Sequence, residues 1–114
     1  MSVEILTTPI FDKEFKRLLK KYPSLKKDFL LLRDELLADP KTGNPIGKNC
    51  YKIRLAVKSK GKGKSGGLRV ITYLLLITEA NNKVRRLYLL SVYDKSENDT
   101  ISDRVLQSLI ENIF

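Results

Sequence analysis

The sequence predicts an α+β domain in which helices pack on a mostly antiparallel sheet. Apolar residues recur at helical spacing before residue 40 and again near the C-terminus, whereas the middle of the chain alternates with a period of two. The resulting order is β-α-α-β-β-β-α, and three consecutive strands with short links typically form an antiparallel meander. We therefore expect a four-stranded, antiparallel-rich sheet with an N-terminal helix pair on one face and a C-terminal helix. The length of 114 residues fits a single domain spanning residues 1–114.

The first two elements are predicted to be a short strand and a helix. Residues 2–8 form a partly alternating apolar run, which is typical of a strand. Thr8 is a suitable N-cap, and Pro9 suits the first helical position. We expect the helix to end at Tyr22, before Pro23, and its apolar stripe comprises Phe11, Phe15, Leu18 and Leu19.

A second helix is predicted to begin after Ser24, which we expect to be its N-cap. Its buried stripe is expected to comprise Leu25, Phe29, Leu32 and Leu36, widened by Leu30 and Leu37. Residues 38–49, with the sequence ADPKTGNPIGKN, contain two prolines and two glycines. Such a composition predicts a turn-rich connection.

The predicted meander starts at Cys50. In CYKIRLAVK the apolar residues alternate with cationic ones, which predicts a strand with one apolar and one cationic face. LRVITYLLLI (68–77) and VRRLYLLSVYDK (84–95) predict two more strands, joined by a hairpin turn at Asn81 and Asn82. A last helix is expected from Thr100 or Ser102, and its buried stripe comprises Ile101, Val105, Leu109 and Ile113.

The glycine-rich segment GKGKSGGLRV, residues 61–70, is similar in composition to a phosphate-binding loop. A P-loop needs a glycine at position 58, where this chain has Lys58, and a helix directly afterwards, where a strand is predicted. We therefore interpret residues 58–67 as a mobile cationic link and not as a nucleotide site. Its lysines are expected to track a phosphate backbone without reading sequence; they are Lys58, Lys60, Lys62 and Lys64.

Positive charge is the strongest compositional signal. Twenty-two Lys and Arg residues against thirteen Asp and Glu residues give a net charge of +9. Such an excess attracts polyanions, among which nucleic acid is the first candidate and an acidic protein the alternative. The chain has no histidine and one cysteine, which excludes histidine-based catalysis, histidine metal sites and thiolate zinc clusters. We expect no metal and no cofactor.

Lys52 and Arg54 are two residues apart on one predicted strand, so their side chains point to the same side of the sheet. Arg69 is expected to lie across from them on the next strand, and Tyr93 and Lys95 to close the concavity. Mutual repulsion of these cations favours an anion site over a purely structural role. RNA cleavage by its own 2′-hydroxyl fits such a site, because arginine stabilises the phosphorane and lysine or tyrosine transfers protons.

Three segments closely resemble the RelE/HigB-like toxins of bacterial type II toxin–antitoxin systems, within the RelE/ParE superfamily; they are YKIRLA, GKGKSGGLRVITYLL and LYLLSVYDKSENDTIS. The resemblance implies a cytoplasmic toxin and hydrolase, an mRNA interferase that enters the 70S ribosome and cuts mRNA without a metal. It also implies a cognate antitoxin, contact with operator DNA only through that antitoxin, and no membrane partner. The lack of an apparent signal peptide or apolar span agrees with a cytoplasmic location.

The resemblance also assigns residues. In that family the strand lysine and arginine match Lys52 and Arg54, the G-x-R arginine matches Arg69, and a basic residue after the last strand matches Lys95. The C-terminal-helix tyrosine of the best-known RelE-type enzymes falls near Ile101 here, and the YDKSE segment suggests Tyr93 as its substitute.

Two alternatives to an endoribonuclease stay open at this stage. One is a gyrase-targeting toxin of the ParE type, which has the same fold. The other is a non-catalytic basic RNA-binding module or toxin relic.

Overall fold

The computed structural model describes residues 2–61, 63, 66–97 and 100–113. Along the chain they form β1 (Ser2–Thr7), α1 (Pro9–Lys21), α2 (Leu25–Ala38), β2 (Asn44–Gly47), β3 (Cys50–Leu55), β4 (Leu68–Glu79), β5 (Asn82–Asp94) and α3 (Asp103–Glu111). The α+β class predicted from the sequence is therefore confirmed. In this part of the chain, no helix combines the length and the apolar character needed to cross a membrane.

The strands form one five-stranded mixed sheet in the order β1-β5-β4-β3-β2. β1 runs parallel to β5, and the other neighbouring strands are antiparallel. The expected count of four strands was wrong, because β2 lies inside residues 38–49, which were predicted to be only a connection. β2 has four residues, among them a proline and a glycine, and its register shifts between Pro45 and Gly47. It is therefore an edge strand without an alternating pattern.

Two tight turns with left-handed backbone join the antiparallel strands. Lys48 and Asn49, between β2 and β3, have φ values of 55° and 62°; Ala80 and Asn81, between β4 and β5, have φ values of 48° and 67°. Two-residue loops with positive φ at both positions match the right-handed twist of the flanking strands. The β4–β5 turn lies one residue earlier than predicted.

The helix pair covers one face of the sheet. Phe11 and Leu18 of α1 and Leu25, Leu32 and Leu36 of α2 form a core with strand residues Ile53, Leu55, Leu68, Val70, Leu87, Leu89 and Val92. As expected, Thr8 caps α1, because its hydroxyl accepts a hydrogen bond from the Phe11 N–H at 3.2 Å. Leu30 and Leu37 are 38% and 46% exposed and do not widen the buried stripe of α2 as predicted.

α3 packs on the opposite face. Its buried residues Leu106 and Leu109 form a second core cluster with the sheet residues Cys50, Ile71, Leu90 and Tyr93. The Ser102 hydroxyl caps α3 by accepting a hydrogen bond from the Val105 N–H at 3.2 Å. Val105 itself is 48% exposed, so its predicted place in the buried stripe was wrong. Side chains on both faces of the sheet are therefore covered.

A β-bulge in β5 reverses the alternation of its side chains. Leu90 is the extra residue, because the β4–β5 register shifts at that point. Glu14 of α1 holds the bulge by accepting hydrogen bonds from the Ser91 hydroxyl at 2.9 Å and the Val92 N–H at 3.2 Å. Beyond the bulge the even-numbered positions face the helix pair, which turns Asp94 towards α1.

Candidate functional site

Lys52, Arg54 and Arg69 lie on the sheet face opposite the helix pair. Arg54 is directly opposite Arg69 in the β3–β4 register, and Arg69 is directly opposite Tyr93 in the β4–β5 register. Residues directly opposite each other project to the same face, with Cβ atoms about 4.5–5.5 Å apart. The fold thus brings together four of the five residues that we predicted to be catalytic.

The exposure of these four residues differs from the expected open surface. Arg54 is exposed and Lys52 is half-buried, whereas Arg69 is 4% and Tyr93 7% exposed. Tyr93 belongs to the cluster covered by α3, and the Arg69 guanidinium donates a hydrogen bond to the Leu68 carbonyl at 3.2 Å. The expectation of an open cationic face was therefore wrong for Arg69 and Tyr93, because no pattern in the sequence shows which face α3 covers.

The two accessible cations line a surface groove with a volume of about 370 Å³, together with Thr42, Gly43 and Asn44. Asn44 is directly opposite Lys52, and β2 pairs with β3 no further than Lys52. Arg54 consequently lies at an open edge of the sheet. Within the described residues, no carboxylate is within salt-bridge distance of Lys52 or Arg54. The groove is therefore suited to an anion.

The link between β3 and β4 begins with an anchored turn, which corrects the expectation that the whole link is mobile. Lys58–Lys60 form a single 3₁₀ turn. The Lys60 ammonium pairs with Asp94, and the Lys60 side chain is only 11% exposed. The Tyr22 hydroxyl donates a hydrogen bond to the other Asp94 oxygen at 2.6 Å, and Ser96 donates through its N–H at 3.0 Å and its hydroxyl at 2.8 Å. Lys60 thus has a structural role here.

The Asp94 carboxylate is completely buried, and its hydrogen-bond donors favour its ionised form. Burial by itself raises the pKa of Asp94, but the hydrogen bonds from Lys60, Tyr22 and Ser96 outweigh that effect and hold the pKa well below its usual range. The hydrogen bond to Asp94, assisted by burial, raises the pKa of Tyr22 to about 12. Tyr22 therefore remains a hydrogen-bond donor at neutral pH.

A second contact ties the link to the start of α2. Asp28 Oδ2 accepts hydrogen bonds from the Ser24 hydroxyl at 2.7 Å and from the Lys58 N–H at 3.2 Å. The Ser24 hydroxyl also accepts a hydrogen bond from the Ser59 N–H at 2.8 Å. Ser24 makes no side-chain capping bond to α2, contrary to expectation, since its hydroxyl holds the link instead.

The last residue of the link, Gly67, lies too close to β3 for any residue with a side chain. A Cβ atom at this position would lie 2.0 Å from the carbonyl oxygen of Leu55, a backbone atom that cannot move aside cheaply. This part of the glycine-rich segment therefore serves the close approach of two chain segments and needs no bound phosphate.

The remaining predicted RNA-binding lysines are dispersed. Lys58 is exposed and lines a second surface pocket of about 680 Å³ with Lys26 and Lys27. Lys95, the fifth residue predicted to be catalytic, is exposed in the turn after β5. Lys62 and Lys64 lie outside the described residues.

Cys50 carries the single thiol of the sequence. Cys50 is buried beneath α3, and burial raises the pKa of its thiol to about 11. A protonated thiol is a poor nucleophile. Across the described ranges there is no group of three or more Cys, Asp or Glu side chains that could hold a metal ion.

Sequence reasoning missed several residues that shape this region. Thr42 and Asn44 lie in a segment that was predicted to be a connection, and only the glycine between them hinted at a special backbone. Asp94 stands inside the YDKSE segment, but only its neighbours Tyr93 and Lys95 were singled out.

No known family model matches the chain, and no solved structure matches it.

Proposed function

We propose that this protein is an endoribonuclease toxin of the RelE/HigB type, which cuts mRNA on the ribosome and thereby inhibits translation. The observation that carries the proposal is the gathering of Lys52, Arg54 and Arg69 on one sheet face. Lys52 and Arg54 lie two residues apart on one strand, and no carboxylate of the described residues is within salt-bridge distance of either, so a bound anion would offset their mutual repulsion. The helix pair, the three consecutive antiparallel strands and the C-terminal helix support the proposal, and β2 is a strand beyond the four that were expected.

In the proposed reaction the 2′-oxygen of the RNA attacks the adjacent phosphorus and the 5′-oxygen leaves. The products are a 2′,3′-cyclic phosphate and a 5′-hydroxyl, and the scheme is metal-independent. Arg54, at the open edge, binds the non-bridging oxygens through its planar guanidinium. Arg69 lies directly opposite Arg54 on the neighbouring strand and is buried. Stabilisation of the negative phosphorane is the largest contribution to the rate.

Two lysines are the proton-transfer candidates. Lys52 lines the groove and can take the proton of the 2′-hydroxyl when its amine is neutral, and the ammonium of Lys95, exposed in the turn after β5, is the candidate donor of a proton to the leaving oxygen. Tyr93, the donor suggested by the resemblance, is 7% exposed and is less well placed for that step. Such groups make a slow enzyme unless the ribosome presents the RNA in line for attack.

The proposed partners follow from the same charge. A net charge of +9 favours association with ribosomal RNA and mRNA, and equally with an acidic antitoxin that neutralises the toxin. Operator DNA is contacted only through the antitoxin, and the proposed location is the cytoplasm.

A non-catalytic RNA-binding module is the second candidate. The burial of Arg69 and Tyr93 favours it, because fewer groups then reach a bound phosphodiester. The groove cations Lys52 and Arg54 suffice to bind phosphate in either case.

Pulsed expression in bacteria, followed by primer extension on cellular mRNA, decides between the two candidates. We expect the wild-type protein to arrest growth and cut mRNA, and Arg54→Ala to reduce cutting about 100-fold or more, as loss of one transition-state donor typically does. Arg33→Ala is the matched control, because Arg33 is an exposed arginine on α2 and its loss changes the net charge equally. Circular dichroism verifies that each variant is folded.

Each result has a definite meaning. Folded wild-type protein that binds RNA without cutting it identifies the binding module. Folded protein that neither arrests growth nor cuts mRNA contradicts the endoribonuclease proposal, as does an equal loss of cutting in Arg54→Ala and Arg33→Ala.

A further inference from the structure

The wall of the groove opposite the cations comes from residues 42–44, which have no role in the proposed reaction. The groove volume of about 370 Å³ lies within the ~300–1,000 Å³ range of small-molecule sites. Its lining combines two cations with an amide and a hydroxyl, from Asn44 and Thr42. Cations can contact the phosphate of a nucleotide, and a polar amide can contact the edge of its base.

This wall is held in place by the turn that precedes it. The carbonyl of Asp39 accepts hydrogen bonds from the Thr42 hydroxyl at 2.6 Å and the Thr42 N–H at 3.1 Å. The Asp39 carboxylate accepts a third hydrogen bond, from the Lys41 N–H at 3.0 Å. The segment therefore presents its side chains from a fixed backbone.

Gly43 lets the segment 42–44 approach β3 closely. Its φ is +108°, and a Cβ atom would lie 2.8 Å from both the Lys52 carbonyl oxygen and Ile53 Cγ1. The backbone at residue 43 consequently packs directly against β3, which leaves no room for a side chain at this position.

Asn44 projects to the same side as the cations. It lies directly opposite Lys52, and directly opposite residues of antiparallel strands share a face. It is exposed, and its amide carries both donors and an acceptor, the combination that pairs with a base edge. Lysine and arginine bind phosphates of any sequence, so the amide is the group on this wall best suited to tell bases apart.

We propose that the groove binds one unpaired nucleotide of single-stranded RNA, and that Asn44 reads its base while Lys52 and Arg54 hold the flanking phosphates. The proposal rests on the proposed function, since it places the substrate in the same site. It goes further by assigning base selectivity to the edge strand β2, away from the groups that carry the chemistry.

The test measures binding without cleavage or ribosomes. Four labelled RNA heptamers, each with a different central base between uridines, are titrated with the purified full chain by fluorescence anisotropy. We expect wild-type affinities to differ at least about fivefold among the four, as a paired amide typically provides. Asn44→Ala should reduce that spread to less than about twofold while the mean affinity changes little, because the phosphate contacts remain.

Two further variants sharpen the test. Asn44→Asp keeps the shape but replaces the donors with a second acceptor, so it should shift the preference towards guanine, whose N1–H and N2–H₂ are both donors. Asn82→Ala is the matched control, an exposed asparagine at the hairpin end of β5, and should preserve the wild-type spread. Both variants are first shown to be folded by circular dichroism.

Three outcomes overturn the inference. The first is equal wild-type affinity for all four heptamers, and the second is an unchanged spread of affinities in Asn44→Ala. The third is no binding at protein concentrations up to about 10⁻⁴ M, the weak end of non-specific nucleic-acid binding. Base-selective binding that depends on Asn44 supports the inference even when no mRNA is cut in cells, so the two proposals fail separately. Binding of an acidic peptide to the groove in preference to every heptamer would also count against it.

Discussion

Asp94 is one residue on which the position of the β3–β4 link depends. It is fully buried, and it receives hydrogen bonds from Tyr22 directly after α1, from Lys60 in the link and from Ser96 beyond β5. Three separate parts of the chain therefore meet at one carboxylate. A buried ion pair of this kind contributes little compared with an apolar core, but removing one partner is costly, because the other charge loses its compensation.

Replacing Asp94 with Asn is expected to lower the free energy of unfolding by about 3 kcal/mol at neutral pH, the low end for breaking a buried pair, because Lys60 can turn into water. The pKa of Asp94 is lower in the folded protein than its ordinary value of 3.8. The stabilisation is therefore present above about pH 4 and is lost as the pH falls through the folded pKa. Urea unfolding of both proteins at neutral and acidic pH measures the difference.

Asp34→Asn provides the control for this prediction. Asp34 is exposed and pairs with Arg33 on the surface of α2, where such pairs contribute little. A difference between wild type and Asp94→Asn that is the same at pH 7 and pH 3 would contradict the stabilising role assigned to the Asp94 carboxylate.

At the scale of the elements, the spacing of apolar residues in the sequence predicted the helices and the long strands. The long strands and the helices have clear period-two or helical patterns, and all of them are found. β2 was missed because its four residues include Pro45 and Gly47, and its pairing with β3 is a tertiary contact without a local pattern. The bulge at Leu90 was missed for a related reason, since Glu14, which holds it, lies on a distant helix.

The β4–β5 turn offers a test of backbone strain within one element. Ala80 has a φ of +48°, a left-handed conformation that alanine adopts only at a cost and that asparagine tolerates better. We expect Ala80→Asn to raise the free energy of unfolding by about 0.5–1 kcal/mol. The shift in the urea midpoint measures the gain.

Ala38→Asn makes the same substitution in α2, where the backbone is helical. There the change should be neutral or slightly destabilising, because asparagine is a poorer helix former than alanine. Equal effects at both positions would show that the left-handed backbone of the turn is not the cause.

At the scale of the whole molecule, the sequence predicted a sheet face that carries cations, but it did not predict that α3 covers part of that face. The register that aligns Arg54 with Arg69 follows from two strands that were both predicted. The burial of Arg69 depends on how the segments around β4 pack, and Cys50 and Tyr93 mark the part of this face that α3 covers. Neither residue differs in pattern from an ordinary strand residue, so the sequence leaves the covered part of the face undetermined.

A net charge of +9 would attract RNA to any part of the surface, whereas the groove proposal places the contacts at one end of the sheet. Salt dependence separates the two, because each phosphate neutralised in a single strand lowers the slope of log K against log salt by about 0.7.

We expect Lys52→Ala to make the slope of log K against log salt less steep by about that amount. Lys83→Ala, which removes an exposed lysine at the opposite, hairpin end of β5, should leave the slope unchanged. Both slopes come from repeating the heptamer titrations at several salt concentrations. An equal change in the two variants would mean that the overall charge, and not the groove, holds the RNA.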